Sequence, residues 1–173
     1  MPVLIVFILF NLFLSAKADE NKLNIAVPEN LKEANLMQTG MTLLKNKQLD
    51  KSLQAFNKAV EIDPSNSEAY ITKGIVNSLM KDYKAAINDE TMAIGIILAN
   101  LSDPKLALAY NTRGHAYLAN NELNLAMTDF ILASKINPHY PDNYRQLSKI
   151  YENTGDLKMA KLMHDKLTDL NKK

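Results

Sequence analysis

Residues 107–140 read ALAYNTRGHAYLANNELNLAMTDFILASKINPHY, and the order of small, aromatic and turn residues in this stretch decides the fold. Tyr110, Gly114 and Tyr117 lie on one face at helical spacing, and Ala126, Phe130 and Ala133 repeat that spacing further on. Asn120-Asn121 separates the two segments, and Asn137-Pro138-His139-Tyr140 closes the second with turn and capping residues. The stretch therefore predicts two helices joined by a short turn. Glycine inside a helix costs about 0.5–1 kcal/mol relative to alanine, so Gly114 needs a compensating cause. Close approach of the second helix, pressing Ala126 and Phe130 against it, supplies one.

Working outward, the same pattern recurs. Leu36, Tyr70, Tyr110 and Tyr144 are separated by 34, 40 and 34 residues, and Gly40, Gly74, Gly114 and Ser148 keep the same intervals. So do Leu49, Tyr83, Leu123 and Leu157; Ser52, Ala86, Ala126 and Ala160; and Ala59, Ala93, Ala133 and Leu167. Five registers in phase define four copies of one unit, at 33–66, 67–106, 107–140 and 141–173. The second carries a six-residue insertion, the difference between an interval of 40 and one of 34. A single unit of this length cannot bury enough apolar surface to fold alone, so the copies must stack on one another. The last helix carries Lys158, Lys161, His164, Asp165, Thr168 and Lys172, a polar surface suited to capping the array.

These residues resemble the tetratricopeptide repeat family, whose unit is a pair of antiparallel helices in 34 residues. The third copy carries Tyr110-x2-Arg113-Gly114-x2-Tyr117, then Ala126-x3-Phe130, then Pro138; the first carries Leu36, Gly40, Leu43, Ser52, Phe56, Ala59 and Pro64 in the same order. The second departs from the family with Asn77 and Glu90 in place of aromatics and Leu98 in place of proline. The fourth has Ser148 for glycine and His164 for phenylalanine. The resemblance implies an all-α, right-handed superhelical solenoid of eight helices that binds a protein or peptide and is not an enzyme. Its concave face would be lined by the first helix of each copy: Met37 and Met41, Ile71 and Ile75, Asn111 and His115, Arg145 and Lys149. That gradient, apolar first and donor-rich last, suits a ligand with an apolar stretch and an acidic group. Some family members grip a terminal carboxylate through Lys and Asn on this face. The corresponding places here hold Met37, Met41, Thr72, Leu108 and Thr112, so that clamp is missing and a cochaperone role is disfavoured.

The insertion lies around Ile94–Pro104. With no proline at Leu98, the second helix of that copy should run on to about Ala99, and Asp103-Pro104 should begin the next helix as a cap followed by proline. Ile96, Ile97 and Leu101 either pack on the next helix near Leu106 or form an exposed second interface. The second alternative would make the chain an assembly subunit held through its insertion. Asn100-Leu101-Ser102 also matches a glycosylation acceptor, a short motif of low specificity.

Val3–Leu14 is apolar except for Asn11, too short to span a bilayer, and Ala16-Lys17-Ala18 has the small-x-small form that precedes a signal-peptidase cut. Residues 1–18 therefore read as a signal peptide, with Asp19 the first mature residue; an uncleaved anchor would export the same domain. Residues 19–32 read as a flexible lead-in and the start of the first helix. The expected location is periplasmic or secreted. Eighteen Lys against two Arg, with frequent Asn, fits an AT-rich genome and a bacterial envelope.

A net charge of +1 supplies no basic field for nucleic acid, and the absence of cysteine excludes disulfides, thiolate chemistry and Cys-ligated zinc. His115, His139 and His164 fall in different copies without metal-ligand spacing. No glycine-rich phosphate loop or nucleophile elbow is present. No cofactor, metal or catalytic residue is expected. The acidic pair Asp89-Glu90 lies within a helix, with one residue expected in solvent and Glu90 partly buried against a lysine.

Overall fold

The computed structural model of the chain describes residues 29–98 and 103–172. The expected signal segment, residues 19–28 of the lead-in, Leu101 and the Asn100-Leu101-Ser102 motif lie outside them. The described residues form α1 (Glu29–Lys45), α2 (Leu49–Ile62), α3 (Ser67–Leu79), α4 (Tyr83–Ile97), α5 (Lys105–Ala119), α6 (Leu123–Ile136), α7 (Pro141–Thr154) and α8 (Leu157–Leu170). Each odd-numbered helix packs on the even-numbered one that follows it. Each even-numbered helix then packs on the next odd-numbered one, so four hairpins stack in chain order.

The turn within each hairpin has one geometry. Lys47, Lys81, Asn121 and Gly155 adopt left-handed backbone, with φ of 58, 66, 63 and 82°. The next residue's amide then reaches back to the carbonyl of Leu43, Asn77, Tyr117 or Tyr151 at 2.8–2.9 Å. This is the Schellman closure, which satisfies carbonyls the ending helix leaves without partners. Asp82 and Asp156 then cap α4 and α8 by accepting the amides of Ala85 and Met159.

Close packing explains the recurring glycines. A Cβ on Gly40 would stand 2.7 Å from Phe56 Cζ, and one on Gly114 would stand 2.9 Å from Phe130 Cε1. Both rings are fully buried. Where the fourth copy has Ser148, its hydroxyl donates to the Ala160 carbonyl at 3.1 Å; Ser52 makes the mirror contact to the Gly40 carbonyl at 2.9 Å. His164 is exposed, and Met163, one residue earlier, enters the core of the last hairpin beside Tyr144, Leu147 and Ile150.

The second copy differs from the expectation for its acids. Asp89, and not Glu90, meets a lysine: Lys73 Nζ lies 2.9 Å from Asp89 Oδ1, and Asn77 donates to Oδ2 at 2.7 Å. Both acids are buried. Glu90 takes the place of Phe56 and Phe130, with its carboxyl against Gly74, and neither of its oxygens has a hydrogen-bond partner.

The insertion also resolves into packing. α4 ends at Ile97, slightly short of Ala99, and Asp103 accepts the Lys105 amide at 2.9 Å, so it caps α5 with Pro104 just outside the helix. Ile97 is 4% exposed and joins a core of Ile71, Ala93, Ile94, Leu106 and Ala109. It therefore offers no surface to a partner, contrary to the second-interface expectation. Ile96 is half-buried. The longer α4 keeps this seam apolar and makes α4 against α5 the most extensive junction between hairpins.

Candidate functional site

The eight residues expected on the inner wall occupy α1, α3, α5 and α7, and the fold treats them unequally. Met37 is half-buried and Met41 is 39% exposed on α1. On α3, Ile75 is half-buried while Ile71 is 3% exposed inside the core beside Ile97. Ile71 therefore contributes rigidity and no contact surface. The longer α4 covers it, which no property of Ile71 itself announces. Leu108 on α5, one of the five places the resemblance matched to the carboxylate clamp, is 40% exposed and extends the apolar part of the wall. Thr72 and Thr112 turn their hydroxyls back to the carbonyls of Glu68 and Leu108, the usual habit of threonine inside a helix.

The donor-rich end is assembled around a carboxylate that sequence reasoning missed. Asp142, in the first turn of α7, receives His115 Nε2 at 2.6 Å and Asn111 Nδ2 at 3.2 Å on Oδ2. Its Oδ1 accepts from Arg145 Nη1 at 2.9 Å and Gln146 Nε2 at 3.1 Å. Burial would raise the Asp142 carboxyl, but the hydrogen bonds from His115, Asn111 and Gln146 outweigh it and hold the group below the ordinary Asp range. Asn111 is itself buried and also donates to Asn143 Oδ1 at 2.9 Å. Asn111 is therefore a staple between α5 and α7, not an open donor. The spacing of Asp142 and Arg145, one helical turn apart, was the available signal for this cluster.

Chemically, the wall has an apolar stretch over Met37, Met41, Ile75 and Leu108 and a polar end whose donors already converge on an internal anion. Lys149 and the outer edges of Arg145 and His115 remain exposed there. An acidic ligand group would meet Lys149 and a region where Asp142 offsets the charge of Arg145, so the apolar stretch carries more of the contact surface than the gradient in sequence suggested. Among the described residues no group of His, Asp and Glu is placed to hold a metal ion. No described helix is long and apolar enough to cross a membrane.

Sequence profiles of the tetratricopeptide repeat match residues 35–66, 55–88 and 107–140, together half of the chain. The chain belongs to the tetratricopeptide repeat family. It is 25% identical over 133 residues to TPR repeat-containing protein MJ1428 of Methanocaldococcus jannaschii, covering 77% of this chain and 22% of that protein. The chain thus spans about a fifth of that relative's length. Among solved structures it superposes on MamA with a TM-score of 0.75 at 23% identity, covering 88% of this chain and 84% of MamA. It also superposes on the first TPR of Spaghetti (RPAP3), bound to the HSP90 peptide SRMEEVD, with a TM-score of 0.65 at 23% identity, covering 72% of this chain and 94% of that one. At these identities the structural likeness shows the shared fold. Tetratricopeptide repeat proteins act in general as protein-binding scaffolds and not as catalysts.

Proposed function

We propose that this tetratricopeptide repeat chain is an exported, non-catalytic scaffold of the bacterial envelope that binds a protein or peptide along its concave face. The observation that carries the binding site is the run of exposed and half-buried apolar side chains on successive first helices, Met41, Ile75 and Leu108, backed by the rigid core around Ile71. Methionine and leucine on such a wall adapt to apolar side chains of an extended or helical segment.

Peptides selected from a displayed random library on the purified chain provide the test. Met41→Glu and Ile75→Glu are each expected to weaken a selected apolar peptide at least tenfold, with helicity retained. Unchanged affinity in both variants would remove this face from consideration. The insertion is not favoured as the interface, because Ile97 is in the core.

Export rests on the apolar run Val3–Leu14 followed by Ala16-Lys17-Ala18. A C-terminally tagged chain produced in a Gram-negative host is expected in the periplasmic fraction, with Asp19 at its N-terminus. A cytoplasmic chain that keeps Met1 would overturn the location.

A further inference from the structure

A cleft of about 380 Å³ opens between α2, α3 and α4, bordered by Asn57, Lys73, Asn77, Asp82, Asn88 and Asp89. Lys73 and Asn77 lie two positions beyond Ile71 and Ile75, which on a helix is the opposite side of α3. The cleft is therefore separate from the wall described above.

The internal repeat explains why it exists. At the register of Asn77 the following copies have Tyr117 and Tyr151, both half-buried. In the third copy the equivalent place is filled from within. Arg113 binds Asp129 through Nε at 2.8 Å and Nη2 at 2.9 Å, reaches Thr91 Oγ1 through Nη1 at 3.1 Å, and lies 5.5 and 5.6 Å from the ring centres of Tyr110 and Tyr117. In the second copy Asp89 stands where Asp129 does, 40 residues earlier, but Lys73 replaces the arginine and Asn77 the tyrosine. The shorter pair leaves the carboxylate with one ammonium, one amide and open space.

We propose that this cleft binds an arginine side chain presented by a partner polypeptide. Its border carries two carboxylates, Asp82 and Asp89, against the single charge of Lys73, so a cation is favoured over an anion or a neutral group. The amide oxygens of Asn57 and Asn88 add acceptors suited to the several N–H groups of a guanidinium. Burial holds the Asp89 carboxyl above the ordinary Asp range even though Lys73 and Asn77 pull it down, the mark of a carboxylate with incomplete compensation. In the third copy the aspartate at this register holds the guanidinium of Arg113, at the place where Lys73 stands here.

Titration of the full chain with N-acetyl-arginine methylamide, followed by NMR of the Asn77 and Asn88 side-chain amides at low salt, tests the site. A saturable shift with a Kd of about 1–10 mM is expected, weakening as salt is added. The citrulline counterpart, equal in shape but uncharged, should bind at least tenfold more weakly. Asn77→Tyr, which fills the cleft as the next two copies do, and Asn88→Lys, an exposed change that adds a like charge, should each abolish the shift while the helical signal is kept. The absence of saturation, equal binding of the citrulline probe, or wild-type binding by both variants would overturn the proposal. None of these outcomes depends on the concave face.

Discussion

Gly114→Leu is expected to lower the stability of the folded chain by about 3 kcal/mol, the upper part of the range for overpacking a filled interior. A Cβ at this position already stands 2.9 Å from Cε1 and 3.0 Å from Cζ of Phe130, a ring with no exposure and no room to withdraw. Three glycines of one chain provide graded controls. Gly40→Ala meets Phe56 at 2.7 Å and should also destabilise. Gly74→Ala meets only the carboxyl end of Glu90, which can swing, so its cost should be smaller. Gly95→Ala has nothing within 4 Å and should stabilise α4 by about 0.5–1 kcal/mol through helix propensity alone. Urea melts followed by helical circular dichroism would rank the four. A Gly114→Leu variant as stable as wild type would contradict the close approach of α5 and α6.

Glu90→Phe is expected to act in the other direction, raising stability at neutral pH by about 1–3 kcal/mol, the cost of a buried polar group without partners. Glu90 is 1% exposed and faces a glycine, as Phe56 and Phe130 do, so the ring has a place prepared for it. The pH dependence distinguishes this cause from simple volume filling. Burial, with the neighbouring Asp89 and Asp129 carboxylates, outweighs the pull of the nearby Thr112 hydroxyl and Arg113 and holds the Glu90 carboxyl well above the ordinary Glu range. In the window between the ordinary Glu pKa and this raised value the folded chain binds more protons than the unfolded one, so stability is lost as pH rises through it. Wild type should therefore weaken from pH 5 to pH 8 more than Glu90→Phe does. Asp89, raised by burial in the same sense, leaves a smaller residual slope in the variant. A Phe variant that is less stable than wild type at pH 8, or that keeps the full slope, would show that Glu90 is accommodated in some other way.

Much of the architecture was legible because its signals are local and repeated. The turn positions Lys47, Lys81, Asn121 and Gly155 follow the same 34, 40 and 34 intervals as the helical registers. Gly40 and Gly114 could be assigned to close contacts because helical glycine is unfavourable unless packing compensates it. The departures of the second copy from the repeat pattern were equally visible. Their meaning was not: sequence placed a lysine near Glu90, whereas Lys73 lies beside Asp89, because which of two adjacent helical residues turns toward a given neighbour depends on how the hairpins cross.

The candidate site divides along the same line. Periodicity and spacing determined the helix pairs, their number and their order, and the family resemblance indicated which face of each first helix could meet a partner. Tertiary structure decided which of those residues remain open. Ile71 and Ile97 are apolar residues like Ile75, yet the length of α4 buries the first two together. Asn111 and His115 on α5 and Arg145 on α7 are donors in sequence, yet the first two reach across to Asp142 and Arg145 meets it from one turn along its own helix. Exposure and hydrogen-bond saturation are properties of what lies across a seam, and partners across a seam are about 30 residues away in this chain, as Asn111 and Asp142 are.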